Sequence, residues 1–496
     1  MIRHAVVASA LTLAIGASPA PGQVRQEIPS HPKQLTFEPI VFEPPSPHDH
    51  RHVLKNGMVV FIAEDRALPL VNISLVLRAG SWLEPEGKEG LASLTGSQMR
   101  RGGTKSLTAA ELDERLDFLA AQASTGIGDT SGGGRLNCLA DNLDEALTLF
   151  VEILREPRFQ EDRLTLAREQ ALQQMKKRND DSADIEAREW NVLLNGEDHP
   201  TNRFTTEASL AAITRDDLLA FHRRYVHPAR MIAAVSGSFT TEDMLRRLED
   251  AFADWPASPP DLSPIPDTLD PATPGLYRIQ KDVNQGRVSL GLPGVMRSHP
   301  DADALEVMID ILGGSGFTSR LMKTVRSNEG LAYDAYAAMN LGVWYPGRFR
   351  AGFQSKSATV AWATELVLEE IRKIREEGVT EEELATIKSS LIETFPSSFN
   401  SKARSMAIFA SDEYTGRDPN YWKTYRDRIR AVTAEDVQRV ARAHLVPEKM
   451  IMLVVGNQAD IDRGDEKHPI KMEELAPGGK VTELPLRDPM TMKMAQ

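Results

Sequence analysis

From residue 51 onward the apolar positions fall into two kinds of run. Short runs rich in Val, Ile and Leu at 58–62 and 71–77 predict strands. Apolar residues spaced three and four apart at 107–121, 143–154 and 162–178 predict helices, because that spacing gathers them on one helix face. Thr108 followed by Glu111 marks the start of the first helix as a capping box. A strand at 231–235 and a helix at 241–253 come next. Pro256, Pro259, Pro260, Pro264, Pro266, Pro271 and Pro274 then interrupt the pattern and predict a stiff linker. Beyond it, residues 277–460 repeat the mixture of strands and helices.

The repetition has a fixed offset. Thr214-Arg215-Asp216-Asp217-Leu218 corresponds to Thr433-Ala434-Glu435-Asp436-Val437, and Pro228-Ala229-Arg230-Met231-Ile232 to Pro447-Glu448-Lys449-Met450-Ile451. Val235-Ser236-Gly237 corresponds to Val454-Val455-Gly456, and all three pairs lie 219 positions apart. In both copies a helix begun by Thr runs to a Pro, and an apolar strand then ends at Gly. The chain therefore reads as a duplication of one α+β domain of about two hundred residues. The expected layout is an N-terminal domain at 51–256, a Pro-rich linker at 257–276, a C-terminal domain at 277–465 and a tail at 466–496.

The first fifty residues have another character. A basic start at Met1-Ile2-Arg3-His4, an apolar run at 5–15 and small residues up to Gly22 predict a signal peptide over 1–22, cleaved near Gly22. The run is too short to span a bilayer, and no later run is long enough. An exported, periplasmic location is expected, with 23–50 as an extended lead-in. Charge changes the picture modestly. Net charge −13 argues against a nucleic-acid binder and gives a weak preference for basic partners. The single cysteine, Cys138, excludes an internal disulfide and is expected to be a small buried apolar residue in a strand.

Candidate chemistry comes from three stretches: 78–104 with Gly90-Leu91-Ala92, the Tyr225–Pro228 and Met231–Gly237 segments, and 319–336 (SRLMKTVRSNEGLAYDAY). Together with the duplication, they resemble the pitrilysin/insulinase family of zinc peptidases over most of residues 50–460. The resemblance implies two homologous domains, each an antiparallel-rich mixed sheet packed with helices. In active members the helix after Gly-Leu-Ala carries His-x-x-Glu-His, whose two His bind zinc while the Glu takes a proton from the metal-bound water. Here Ser93 and Ser97 stand where the His ligands belong, and Gly96 stands where the Glu belongs. The third ligand, a Glu separated from the second His position by seventy-six intervening residues in many members, falls at Gln174. Neutral Ser and Gln are poor zinc ligands beside imidazole and carboxylate. The family pattern thus implies no metal bound and no hydrolysis by this chain alone.

A second motif is kept. Arg326 and Tyr333 stand seven apart, as does the Arg/Tyr pair with which active members hold the peptide backbone and stabilise the oxyanion. The resemblance accordingly implies the non-catalytic subunit of a heterodimeric zinc metallopeptidase. Its partner would be a homologous His-x-x-Glu-His-bearing chain that holds the zinc, and its substrates peptides. The alternative is an exported peptide-binding or scaffold protein with no proteolytic role. Two other features have plainer explanations. His48-Asp49-His50-Arg51-His52 is the one local histidine cluster and reads as a solvated tract, while His199, His222, His227, His299 and His444 are scattered. Gly313-Gly314-Ser315-Gly316 lacks the Gly-Lys-Ser/Thr of a phosphate loop and is expected to be a flexible turn between helices.

Overall fold

The computed structural model describes residues 30–31, 34–35, 41–255 and 261–494. The expected signal peptide at 1–22 lies outside the described residues, as do most of the lead-in up to residue 40, Pro256 and the linker residues 257–260. Met1–Phe42 separates from Glu43–Gln496 by contact, and every element named below belongs to the second of these units.

Two six-stranded mixed sheets form the framework. The first holds β1 (Arg51–Val53), β2 (Val59–Glu64), β3 (Leu70–Leu77), β4 (Gln122–Ile127), β5 (Gly132–Leu139) and β6 (Met231–Gly237), in the order β1-β2-β6-β3-β5-β4. The second holds β7 (Gly275–Gln280), β8 (Gln285–Pro293), β9 (Ala332–Asn340), β10 (Arg348–Lys356), β11 (Ile451–Gly456) and β12 (Val481–Glu483), in the order β12-β7-β11-β8-β10-β9. Without the edge strands β1 and β12 the two orders coincide. Even the direction of pairing repeats: β2 runs parallel to β6 and β7 parallel to β11, while the other pairs of this shared set are antiparallel. The capping pattern seen in the sequence recurs as well. Thr214 accepts from the Asp217 N–H and Thr433 from the Asp436 N–H, each closing a capping box at the helix that leads into the central strand. The expected α+β duplication is the observed fold.

Helices α1 (Leu91–Arg101), α2 (Ala109–Phe118), α3 (Leu143–Arg155), α4 (Glu161–Lys176) and α5 (Ser182–Asn195) follow in the first half. The periodic stretches at 107–121, 143–154 and 162–178 correspond to α2, α3 and α4, and Thr108 caps α2 through the Glu111 N–H. Cys138 is fully buried on β5, where burial pushes its thiol up to about 11, so it is packing and not a nucleophile.

The two halves exchange helices. From α5, Ile185, Trp190, Leu193 and Leu194 pack against Tyr277, Ile279, Ile451, Leu453 and Val455 of the second sheet. In return Met406, Phe409, Ala410 and Tyr414 of the Lys402–Thr415 helix pack against Phe61, Ala63, Ile232 and Ala234 of the first sheet. Burying one such large side chain contributes roughly 1.5–3 kcal/mol. Each exchanged helix thus buries an amount comparable to the net stability of a whole domain, about 5–15 kcal/mol. The tail adds a further tie: β12 pairs with β7, and the buried Arg487 reaches back to Glu189 and Glu197 at α5 and just beyond it. No helix among the described residues is long and apolar enough to cross a membrane.

Candidate functional site

Helix α1, which carries the positions of the zinc motif, starts without a capping side chain of its own at Gly90. Glu84 supplies one from a distance, its Oε1 accepting from the N–H groups of Gly90 at 3.1 Å and Ala92 at 2.7 Å. Burial pushes this carboxyl from its ordinary 4.5 up to about 7, against the pull of those N–H groups and of Arg203. Between those two values the folded chain holds a proton that the unfolded chain has released. Glu84 therefore makes stability fall as pH rises from about 4.5 to about 7. Glu84→Gln keeps the accepting oxygen and removes the proton exchange. The thermal midpoint of Glu84→Gln relative to the parent is expected to climb through that window and to level off above it. A difference that stays flat with pH would contradict this.

Of the motif positions on α1, Gly96 cannot be refilled by simple substitution. Ser93 is exposed, and the Ser97 hydroxyl donates to the Leu94 carbonyl at 3.2 Å. Gly96 is buried directly beneath β4: a Cβ placed there would lie 2.2 Å from the Ile127 nitrogen and 2.6 Å from the Gly126 carbonyl carbon. The Thr125 hydroxyl seals the contact by donating to the Gly96 carbonyl at 2.6 Å. Strand β4 occupies the space that a glutamate at position 96 would need. Gln174 is exposed on α4 and does not line the groove beside Ser97, where that helix presents Arg163, Leu166, Ala167 and Gln170. Arg100, Arg101 and Arg163 line the same groove against Asp113 alone. Hydroxyl, amide and guanidinium groups with no imidazole and one carboxylate do not fit a zinc ion.

Arg326 and Tyr333 are brought together. Arg326 lies on Met322–Asn328, a wide helical turn in which the Glu329 N–H reaches back five residues to the Thr324 carbonyl at 3.3 Å. Such π-type turns recur at functional sites. Tyr333 opens β9 and is 83% exposed. The guanidinium carbon of Arg326 lies 4.6 Å from the Tyr333 ring and 4.6 Å from the ring of Phe317, itself 66% exposed. Phe317 had no motif to flag it in the sequence. Among the described residues, neither the Arg326 guanidinium nor the Tyr333 hydroxyl has a hydrogen-bond partner, so their donors are held in place by ring stacking but left unspent. The adjoining groove, about 530 Å³, is lined by Arg287, Arg350 and Lys356 as well, against Glu186 and Asp334. Its excess positive charge opposes the preference for basic partners drawn from the net charge.

The glycine run before Arg326 differs from expectation. Gly313 and Gly314 belong to a second wide turn, Asp310–Gly314, and a Cβ on Gly313 would lie 2.1 Å from the Ala337 nitrogen. Gly313 is a close-packed seat under β9, because only a residue without Cβ lets the strand approach so near, whereas Gly314 and Gly316 are exposed. In the histidine tract, the His50 Nδ1 meets the Ile62 carbonyl at 2.9 Å and its ring stacks on Phe409. Among the described residues, His48, His50 and His52 form no convergent set of donors. The scattered His299 and His444 do come together, across 145 residues of chain, beside Asp301.

Comparison with known proteins agrees with this geometry. A family model described as Insulinase (Peptidase family M16) matches residues 59–191, and one described as Peptidase M16 inactive domain matches residues 212–391. The chain is 25% identical to the non-peptidase homolog YmxG of Helicobacter pylori over 412 residues, covering 82% of this chain and 94% of that protein. It is 28% identical to the uncharacterized zinc protease Rv2782c of Mycobacterium tuberculosis over 329 residues, 64% of this chain and 73% of the relative. In fold it is similar to a peptidase M16 inactive domain from Pseudomonas fluorescens, with TM-score 0.74 and 24% identity over 82% of this chain and 97% of that one. The periplasmic protease PqqL of Escherichia coli superposes with TM-score 0.69 at 16% identity, over 82% of this chain and 45% of that protein. Since the two family models together span more than half of its length and the zinc positions hold no metal-binding side chain, the chain belongs to the insulinase (M16) peptidase family, as a non-catalytic member.

Proposed function

We propose that this chain is the non-catalytic subunit of a divided zinc metallopeptidase, exported to the periplasm and paired with a homologous His-x-x-Glu-His-bearing chain. In that assembly the partner holds the zinc and its water. Arg326 donates to the backbone of the bound peptide, and the Tyr333 hydroxyl donates to the oxyanion that develops at the scissile carbonyl. The observation that carries this reading is the exposed Phe317–Arg326–Tyr333 stack, which keeps two unspent donors poised at the mouth of a groove. They do not share the groove that Ser97, a zinc-motif position of the same chain, lines. The positive lining of the Arg326 groove favours peptide carbonyls and carboxylates as its ligands.

The test is reconstitution. This chain and the zinc-motif homologue of its own host are purified separately, then assayed alone and mixed on a fluorogenic peptide. Hydrolysis is expected only in the mixture. Full activity of the homologue alone, unchanged by this chain, would transfer the weight to a peptide-binding or scaffold role.

A further inference from the structure

Away from both grooves, three side chains from distant parts of the second half meet at one point. His299 sits in the loop that follows β8, Asp301 immediately precedes the Ala302–Ile309 helix, and His444 ends the Ala434–His444 helix. One donor atom from each lies within 4.8 Å of the other two. We infer that His299, Asp301 and His444 form a binding site for a divalent transition ion of the zinc class, separate from the lost motif of the first half.

The spacing suits such an ion. The Asp301 Oδ2 lies 2.9 Å from the His444 Nε2 and 3.8 Å from the His299 Nδ1. Zinc–nitrogen and zinc–oxygen bonds of about 2.0–2.2 Å set tetrahedral edges of about 3.4 Å, midway between these two separations. Two imidazoles and one carboxylate form a zinc-type donor set, too rich in nitrogen for calcium or magnesium. The fourth position is left for water.

The surroundings also point to an ion and not to a plain ion pair. Asp301 stands at the N-cap of its helix yet makes no capping hydrogen bond. Its Oδ1 instead accepts from Arg439 at 2.8 Å, which turns Oδ2 toward the two imidazoles. That is the geometry of an outer partner fixing a ligand's orientation. An ion pair with His444 alone would be complete, and a His⁺ at a helix C-terminus is favourable in itself. His299 is the most exposed of the three, with 37% of its side chain open, and gives the ion a way in. Its competing contact is weak, the Asp301 N–H meeting its Nδ1 at 3.2 Å. A bound ion would clamp the loop before one helix to the end of the helix packed beside it.

The test uses the full exported chain without an affinity tag, stripped with a chelator and titrated with Zn²⁺ by calorimetry, with Co²⁺ as a spectroscopic probe. One equivalent is expected to bind, with a rise in thermal midpoint that depends on zinc. His299→Ala should weaken binding more than tenfold, since loss even of an outer-shell partner commonly costs about 10–100-fold. His299→Ala/His444→Ala should abolish it, while His48→Ala/His52→Ala should bind as the parent does. If His444→Ala fails to fold for want of its bond to Asp301, His299→Ala alone decides the matter. No zinc uptake by the parent, or unchanged affinity in His299→Ala, would overturn the site. Neither outcome depends on peptidase activity, so the reading of Arg326 and Tyr333 is tested separately.

Discussion

Gly96→Ala is expected to destabilise the protein, although alanine ordinarily improves a helix interior by about 1 kcal/mol over glycine. The sign reverses because the added Cβ would meet the backbone of β4, 2.2 Å from the Ile127 nitrogen, where no flexible side chain can give way. Overpacking of this kind costs about 1–3 kcal/mol and occasionally more. To make room, either α1 or the β4 edge must shift and break the 2.6 Å bond from Thr125 to the Gly96 carbonyl. The same collision defeats repair of the motif. Ser93→His/Gly96→Glu/Ser97→His restores the donor types but forces a larger side chain into the same contact. That triple variant should be less stable than Gly96→Ala and should hydrolyse no peptide. Thermal melts of the two variants check this prediction, and an unchanged midpoint in Gly96→Ala would show that α1 and β4 lie further apart.

The second large effect concerns catalysis in the assembled enzyme. With the zinc-bearing partner present, Tyr333→Phe is expected to lower kcat by about 10²–10³-fold, the range for loss of one oxyanion donor. Arg326→Ala should raise KM as well, because its donors would orient the peptide in the ground state too. Arg326→Lys should rescue little, since an ammonium presents neither the planar fork nor the stacking surface held between Phe317 and Tyr333. None of these changes should alter folding, as Tyr333 is 83% exposed and Arg326 has no buried partner. Steady-state kinetics on the reconstituted pair separate these effects. Full activity with Tyr333→Phe would remove the tyrosine from the reaction.

Much of this was legible in the sequence because it is local or repeated. The Thr214 and Thr433 caps, the strands that end at Gly237 and Gly456, and the kept Arg326–Tyr333 spacing all lie within short windows, where periodicity and capping chemistry act. What escaped depends on contacts between distant parts of the chain. No helix was expected at 182–195, where α5 forms and covers β11 of the other half. A count along the chain places the third ligand position at Gln174, but the count alone does not show that this residue is exposed on α4, outside the groove beside Ser97. Gly96 read as a missing glutamate, and only the approach of β4 shows that the space itself has closed. His299 and His444 looked unrelated because the loop that carries one and the helix that carries the other meet only in the folded state.

The central claim is that this chain works only beside a different, zinc-motif chain. The most direct test is the intact native mass of the protein recovered from the exported fraction of its own host. The expected result is a complex of one copy of this chain with one homologous chain carrying His-x-x-Glu-His. A monomer or a homodimer, or peptide hydrolysis by this chain alone that Arg326→Ala abolishes, would contradict it.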